Sequence, residues 1–575
     1  MITESINIRQ VLFFIIALVA VFICGLGVDV MDVDASQYAS MSRLMHETGN
    51  YLQVQDRDHD YLDKPPLLFW LSSFSFSIFG ISNWAYKLPS FLFGLLGIYS
   101  TYGLGKLLYN RQTGVLAALI LASSTAMFII HNDIRTDTML IGAVIFAVWQ
   151  LLYWVKTKNT LSFVLGFAAI GVAMLAKGPL GLMLPLLALS CDFAYKRQWR
   201  NFFRWQWLIG LLIVAVILLP MCIGLYQQFD LHPEKTVNGK TGVSGLAFYF
   251  WTQSFGRLTG DSDWGTKFDN GAGPFFFVHT FLWAFLPWAV PFVFALGKTI
   301  VVFFRSRFRA GIMNEAATIG GFVLTFIALS ASKYKLPHYI YVTLPLASII
   351  TARYLVQDVL PGTKSLVFRS YRLLFHFTAV LLLAAAGLVV FYIFGLASVP
   401  VIILYAAGVI VCFFCFFRAQ SPAGKLFYPL LVAVITTYFA GNLHFYPKLM
   451  EYQSSNVAGK IIEEKKIPEG SFFAYNGDIE FSLDFYSRRV MSYVPEGLHG
   501  LGNLLKTKNE VWIYTDEAGE KEIREKGFLI GESRKLDHYG VQNLSIPFLN
   551  PKTRPEKLRV RYLLQVKAQP QISAD

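Results

Sequence analysis

The sequence predicts a polytopic α-helical membrane protein that ends in a small soluble α/β domain, and three observations carry that reading. Only 15% of the 575 residues are charged and 55% are apolar, whereas a soluble domain carries about a quarter charged residues. The apolar residues lie in long runs, among them 11–28, 208–225, 371–394 and 401–417, and about 20 such residues cross the hydrocarbon of a bilayer. From about residue 447 the composition changes to that of a soluble protein.

About thirteen spans follow from the apolar runs, near 11–28, 86–108, 113–131, 137–155, 161–176, 179–195, 206–226, 274–303, 316–331, 337–357, 371–395, 399–417 and 425–445. The first run follows a short start bearing Arg9 and lacks a small-residue cleavage site, so it is expected to stay as a first span. The net charge of +13 is placed in short loops between spans, which marks it as topogenic and argues against a nucleic-acid partner. Every second loop is basic: Lys106 and Arg111; Lys156 and Lys158; Lys196, Arg197, Arg200 and Arg204; Lys298, Arg305, Arg307 and Arg309; Lys364, Arg369 and Arg372; Arg418 and Lys425. Those loops are expected to face the cytoplasm. An odd number of spans then leaves the N-terminus inside and the C-terminal domain outside, which in a bacterial inner membrane is the periplasm.

The predicted membrane domain covers 1–446, with long polar loops at 29–85 and 227–273 on the outer side. The first loop contains an amphipathic helix with Tyr38, Met41, Leu44 and Met45 on one face. After Pro65 and Pro66 comes a short apolar stretch, 67–81, flanked by Lys64 and Lys87 and expected to lie on the membrane surface. In the soluble part, 447–575, the segments 472–475, 490–493, 511–514, 528–531 and 560–566 have the composition of strands, separated by Glu- and Lys-rich helical stretches. The five cysteines lie in or beside apolar runs, where they are expected to act as small hydrophobes; neither a disulfide nor a metal site is expected of them.

Charged residues recur at the outer ends of six segments: Asp29, Asp32 and Asp34; Asp63 and Lys64; Asp133, Arg135 and Asp137; Lys177; Arg257; Lys333 and Lys335. A charge at such a depth needs water, a partner or a ligand. One alone is explained by solvation of a helix end, but six segments sharing one depth point to a site for an anionic substrate. Lys64, Arg257 and Lys335 suit a phosphate. A carboxylate near them, Asp34 or Asp137, could take the proton of an attacking hydroxyl or amine. A phosphate at membrane depth belongs most naturally to a lipid carrier, and the chain has no Gly-rich nucleotide loop of the P-loop or dinucleotide-binding kind.

Seven short motifs fall in one order along the chain. They are Asp34-Ala35-Ser36-Gln37-Tyr38-Ala39, Tyr61-Leu62-Asp63-Lys64-Pro65-Pro66-Leu67, Arg135-Thr136-Asp137-Thr138-Met139-Leu140 and Ala176-Lys177-Gly178-Pro179, then Phe255-Gly256-Arg257, Leu286-Pro287-Trp288 and Ser332-Lys333-Tyr334-Lys335-Leu336-Pro337-His338-Tyr339. Together they resemble the C-superfamily (GT-C) of polyprenyl-phosphate-sugar glycosyltransferases, in particular the bacterial aminoarabinose (lipid A) transferases and the dolichyl-phosphate-mannose protein mannosyltransferases. The resemblance spans about residues 10–350.

That resemblance implies an inverting transfer of a sugar from a polyprenyl (undecaprenyl) monophosphate to an acceptor outside the membrane: lipid A, another glycolipid or a protein. It implies Asp34 as general base, Asp137 orienting the acceptor or the sugar, and Lys64, Arg257, Lys335 and Tyr339 gripping the donor phosphate. Asp63, Arg135, Lys177 and Tyr38 are further site candidates. The chain departs from the family pattern at Ala35, where a second carboxylate is common. It departs again near Asp269, Asn270 and Gly271, where relatives carry histidines, so the sequence supports no metal cofactor. The alternative within enzymes is a protein O-glycosyltransferase using the same donor type. A transporter would place charges at the bilayer midplane and repeat its halves, and the chain shows neither.

Overall fold

The structure is a computed structural model that describes residues 7–237, 239–254, 256, 270–305 and 315–568. Its first part is a bundle of apolar helices: α1 (Ile8–Gly25), α2 (Asp34–Thr48), α3 (Leu67–Phe79), α4 (Asn83–Leu108), α5 (Arg111–Ala122), α6 (Thr125–Asn132), α7 (Thr136–Thr157), α8 (Thr160–Lys177), α9 (Leu180–Tyr195) and α10 (Gln206–Leu225). Further helices run to Met450. Among the described residues nine helices are long and apolar enough to cross a membrane, and α5 with α6, bent by 52° at the break between them, makes a tenth.

Each of the remaining predicted spans also falls on a helix, but a short or broken one. The helices α9 and Ala317–Ala331 are shorter apolar helices. The span predicted at 274–303 is two helices, Phe276–Ala284 and Ala289–Arg305. Pro287 lies in the gap, and a proline cannot supply the backbone N–H that would carry a helix through it. The chain is therefore a polytopic helical membrane protein with a C-terminal sheet domain.

Local chemistry sets the helix ends. Asn110 caps α5 by accepting the N–H of Thr113 at 2.8 Å, and Asn159 caps α8 through Ser162 at 3.0 Å. Such caps satisfy donors that a helix start leaves without partners. The most enclosed of the early spans is α7, which packs on α4, α8 and α9. A Cβ on Gly142 would stand 2.3 Å from the backbone oxygen of Phe93, so α4 and α7 meet backbone to backbone. Small residues allow that approach where helices associate in lipid. Because α7 is central, the residues at its start are buried.

The loop between α1 and α4 carries α2 and α3, which pack on one another. Lys87, predicted as a flank of a surface helix, instead lies fully buried inside α4, its ammonium donating to the Gly25 carbonyl at 3.2 Å.

The C-terminal part forms a four-stranded mixed sheet in the order Phe472–Tyr475, Glu510–Asp516, Arg559–Lys567, Leu529–His538, with the first pair parallel and the others antiparallel. Alternation along the strands divides the core. Trp512, Tyr514 and Leu563 face the helices Ser454–Glu464 and Phe481–Ser487, while Val511, Ile513 and Leu564 face Gly497–Thr507 and Glu517–Glu525. The strand expected at 490–493 is reduced to a single bridge from Tyr493 to Ala474. It is confined between Arg488, whose φ is 53°, and Pro495, too short a run for a ladder.

This domain holds the first loop directly. Asp32 accepts the backbone N–H of Ser482 at 3.0 Å and the hydroxyls of Ser482, Ser455 and Ser36. Asp29 pairs with Lys460 at 2.6 Å, and Arg57 with Asp484 at 2.6 Å. The backbone N–H groups of Val30 and Asp32 donate to Tyr486 and Gln453. Asp29 and Asp32, grouped by sequence with the site residues, thus join the two parts of the molecule.

Candidate active site

The start of α7 organises the charges. Arg135 is the cap residue of α7 and Asp137 lies in its first turn, where a carboxylate is favoured by the helix dipole. Arg135 ion-pairs with Asp34, the first residue of α2, and with Asp133 at 2.9 Å. Burial works against the Arg135 charge, and Asp133 and Asp34 outweigh it, holding the guanidinium above its ordinary pKa. Asp34 uses one oxygen for Arg135 and keeps 38% of its side chain exposed.

Tyr38, one turn along α2 from Asp34, is buried and packs edge-on against Phe69 of α3. Burial, then the neighbouring Tyr61, Asp34 and Asp63, push its phenol well above the usual range. Tyr38 therefore lies within electrostatic reach of both Asp34 and Asp63. In that segment Lys64 is ion-paired with Asp63, and the Asp63 carbonyl accepts from Gln253. Pro65 and Pro66 follow, and α3 begins at Leu67. Lys64 lines a narrow cleft with Tyr61, Met221, Gln228 and Tyr249.

A second cluster lies at the other side of the α7 start. Asp137 is ion-paired with Lys177, the last residue of α8, and both side chains are nearly buried. The helix stops there because Gly178 takes a φ of +67°, open to glycine and strained for other residues. His338 Nε2 lies 3.7 Å from Asp137, and the Lys177 ammonium stands 4.0 Å from the Tyr339 ring centroid. Tyr339 is thus gathered with Asp137 and Lys177.

Lys335 is placed differently again. Its ammonium donates to the Ala272 carbonyl at 3.0 Å, and Asn270 clamps its backbone through two hydrogen bonds of 2.6 and 3.2 Å. No described contact joins Lys335 to Lys64. Arg257 lies outside the described residues, as does Asp269. Asn270, noted in the sequence as a departure from relatives, anchors a site candidate. Among the described residues no group of three or more His, Cys, Asp or Glu side chains is arranged to hold a metal ion.

Sequence reasoning assigned no role to Asp133, His338 or Gln253. Asp133 and His338 stand inside recognised segments, but the approach of His338 to Asp137, between Pro337–Thr343 and α7, is invisible to a linear reading. Gln253 carries no charge to mark it.

Comparison with known proteins agrees with this geometry at the level of the fold. Residues 63–223 match the family model described as dolichyl-phosphate-mannose-protein mannosyltransferase. An undecaprenyl phosphate-alpha-4-amino-4-deoxy-L-arabinose arabinosyl transferase of Proteus mirabilis is 24% identical over 56% of this chain and 54% of its own length. The chain thus spans about half the length of that relative. A second such transferase, of Shewanella sediminis, is 22% identical over 74% of this chain and 68% of its own. The crystal structure of ArnT from Cupriavidus metallidurans bound to undecaprenyl phosphate superposes with a TM-score of 0.72 at 16% identity, covering 99% of this chain and 100% of that one.

Proposed function

We propose that this chain, which has the fold of the C-superfamily glycosyltransferases, is an inverting glycosyltransferase that moves a sugar from a polyprenyl monophosphate to a lipid A-type glycolipid at the outer face of a bacterial inner membrane. The observation that carries the reading is the convergence on Tyr38 of two opposite-charge pairs, Asp34 with Arg135 and Asp63 with Lys64, at one end of an apolar bundle. A lipid phosphate needs cations at the end of a hydrophobic surface. Relatives named as undecaprenyl-phosphate arabinosyl transferases support the same donor.

In this reading Lys64 exchanges its bond to Asp63 for the donor phosphate. Asp34 accepts the proton of the acceptor hydroxyl, the acceptor oxygen bonds to the anomeric carbon, and the bond from that carbon to the phosphate oxygen breaks. Polyprenyl phosphate leaves, its charge balanced by Lys64, with Arg257 and Lys335 as the further cations. Attack from the face opposite the leaving group inverts the anomeric centre. Arg135 orients the Asp34 carboxylate through their ion pair, and Asp137 with Lys177, His338 and Tyr339 frames the acceptor side. The basic loops face the cytoplasm, so the site and the sheet domain stand in the periplasm.

Mass spectrometry of lipid A and of envelope glycoproteins from a strain lacking the gene tests this directly. Loss of a sugar from lipid A is the expected result. The family model matched by residues 63–223 favours one second reading, transfer to protein, and loss of a glycan from envelope proteins alone would replace the first reading by that one.

A further inference from the structure

At the end of the bundle remote from Asp34 and Lys64 lies a cavity of about 550 Å³, within the range of ligand pockets. Its wall is built by α9, Ala289–Arg305 and Ala317–Ala331, and includes Cys191, Ile300, Phe303, Ile319 and Val323. Along α9 the cavity begins at Cys191, about 16 Å from the helix start that follows Lys177, so it is no part of the site described above.

Arg197 and Trp199 stand in the same wall, and both side chains are exposed. Lys196 is neutralised by Asp192 at 2.7 Å, and the second oxygen of Asp192 is taken by the Ala316 N–H. Among the described residues no carboxylate pairs with Arg197, and Arg200 and Arg305 are exposed nearby in sequence and at the end of the Ala289–Arg305 helix. Trp199, 58% exposed, stands at the rim of the cavity, and Trp205 follows it in sequence, 67% exposed. An apolar slot between helices, rimmed by tryptophan and by cations without acidic partners, is complementary to acyl chains joined to an anionic head.

We propose that this cavity binds one anionic diacyl phospholipid, its chains between the three helices and its phosphate at Arg197. The occupant is a membrane lipid, distinct from the donor, and the site serves the basic end of the bundle. Binding there would brace α9 against Ala317–Ala331 and so steady the loops that leave their far ends, which carry Lys177 and Lys335.

The test uses the full-length protein in detergent with Cys191 as its single cysteine, the other four changed to alanine. The rate of Cys191 alkylation by N-ethylmaleimide is measured while dioleoyl phosphatidylglycerol or dioleoyl phosphatidylcholine is added. Phosphatidylglycerol should protect at a concentration at least tenfold below that needed of phosphatidylcholine. Arg197→Gln should abolish that preference while leaving chain-dependent protection. Native mass spectrometry of the wild-type protein gives an independent measure, one retained phosphatidylglycerol per chain, which Arg197→Gln should lose. Equal protection by the two lipids, or an unchanged preference in Arg197→Gln, would overturn the proposal. So would protection by undecaprenyl phosphate but not by phosphatidylglycerol, which would make the cavity a second seat for the carrier lipid.

Discussion

Lys177 is held between two partners: its ammonium is ion-paired with Asp137 and stands 4.0 Å from the ring centroid of Tyr339. The Lys177 and Asp137 side chains are only 9% and 4% exposed, so neither charge has ready access to water. Removing one partner of a buried pair leaves the other uncompensated and costs about 3–5 kcal/mol. Lys177→Met should therefore lower the melting temperature in detergent markedly, and Asp137→Asn with Lys177→Met together should recover most of the loss. A single Lys177→Met variant as stable as the wild type would show that Asp137 draws its compensation elsewhere.

Asp34 and Arg135 should separate chemistry from binding. Asp34→Asn keeps the shape but removes the proton acceptor, so transfer should fall at least a hundredfold, a typical scale for general-base loss, while affinity for polyprenyl phosphate changes little. Equal loss of binding and turnover would make Asp34 a ligand-positioning residue instead.

The exchange at Lys64 predicts opposite effects from adjacent residues. Lys64→Ala should weaken polyprenyl-phosphate binding by about 1.5–3 kcal/mol, roughly ten- to a hundredfold. Asp63→Asn removes the competing carboxylate and should tighten it. Arg257→Ala combined with Lys64→Ala should be non-additive if both cations hold one phosphate. Isothermal titration with the lipid in detergent measures all of these, and unchanged affinity in the lysine and arginine variants would remove the lipid-phosphate grip.

Docking of the sheet domain should depend on pH. Burial and the nearby Glu480 raise the Asp32 carboxyl to about 6, against the hydrogen bonds from Ser36 and Ser482. Its unfolded value is near 3.9. A raised carboxyl binds its proton more tightly when docked, so the ionised form costs docking free energy at neutral pH. That cost is fully present above about pH 6 and fades as pH falls toward 4. Two pK units correspond to about 3 kcal/mol as an order of magnitude. Asp484, also raised to about 6 by burial against its Arg57 partner, acts in the same direction. Burial lowers the neighbouring His538 to about 4, which opposes this trend below about pH 6.5. In a His538→Gln background, hydrogen exchange of Ser482 should therefore slow between pH 7 and 5 after correction for intrinsic rates, and Asp32→Asn should flatten the change. Faster exchange on acidification would reverse the assignment.

Orientation is open to chemical labelling. In a cysteine-free background, a cysteine at exposed Glu556 should react with an impermeant thiol reagent in intact cells, and one at exposed Thr363 should react only after lysis. Labelling of Thr363→Cys alone would invert the molecule and move the site to the cytoplasm.

Much of the membrane part is legible in the sequence because hydrocarbon imposes one rule, a long apolar helix, on each span. The rule is silent about breaks. It gives no sign that 274–303 divides at Pro287 or that α5 and α6 meet at 52°. The candidate site was legible as residue types at a shared depth, which places Asp34, Lys64, Asp137 and Lys177 at helix ends. Partners were not legible, since Asp34 with Arg135 and Asp137 with Lys177 are joined across 101 and 40 positions. Asp29 and Asp32 show the limit most clearly: by spacing they resemble their neighbour Asp34, yet each also bonds a residue more than 400 positions away in the sheet domain.

That separation has a consequence for the making of the protein. Asp32 and Ser482 are 450 residues apart, and at roughly 5–20 residues per second a ribosome needs about 20 to 90 seconds to supply the second after the first. Late in that interval the spans have been made while the segment leading into Asp34 still lacks the partners that fasten it. A nascent or truncated chain can therefore occupy the membrane while its first loop is still unfastened. The sheet domain, made after the spans, thus supplies the contacts that fasten Asp29 and Asp32 only late in synthesis.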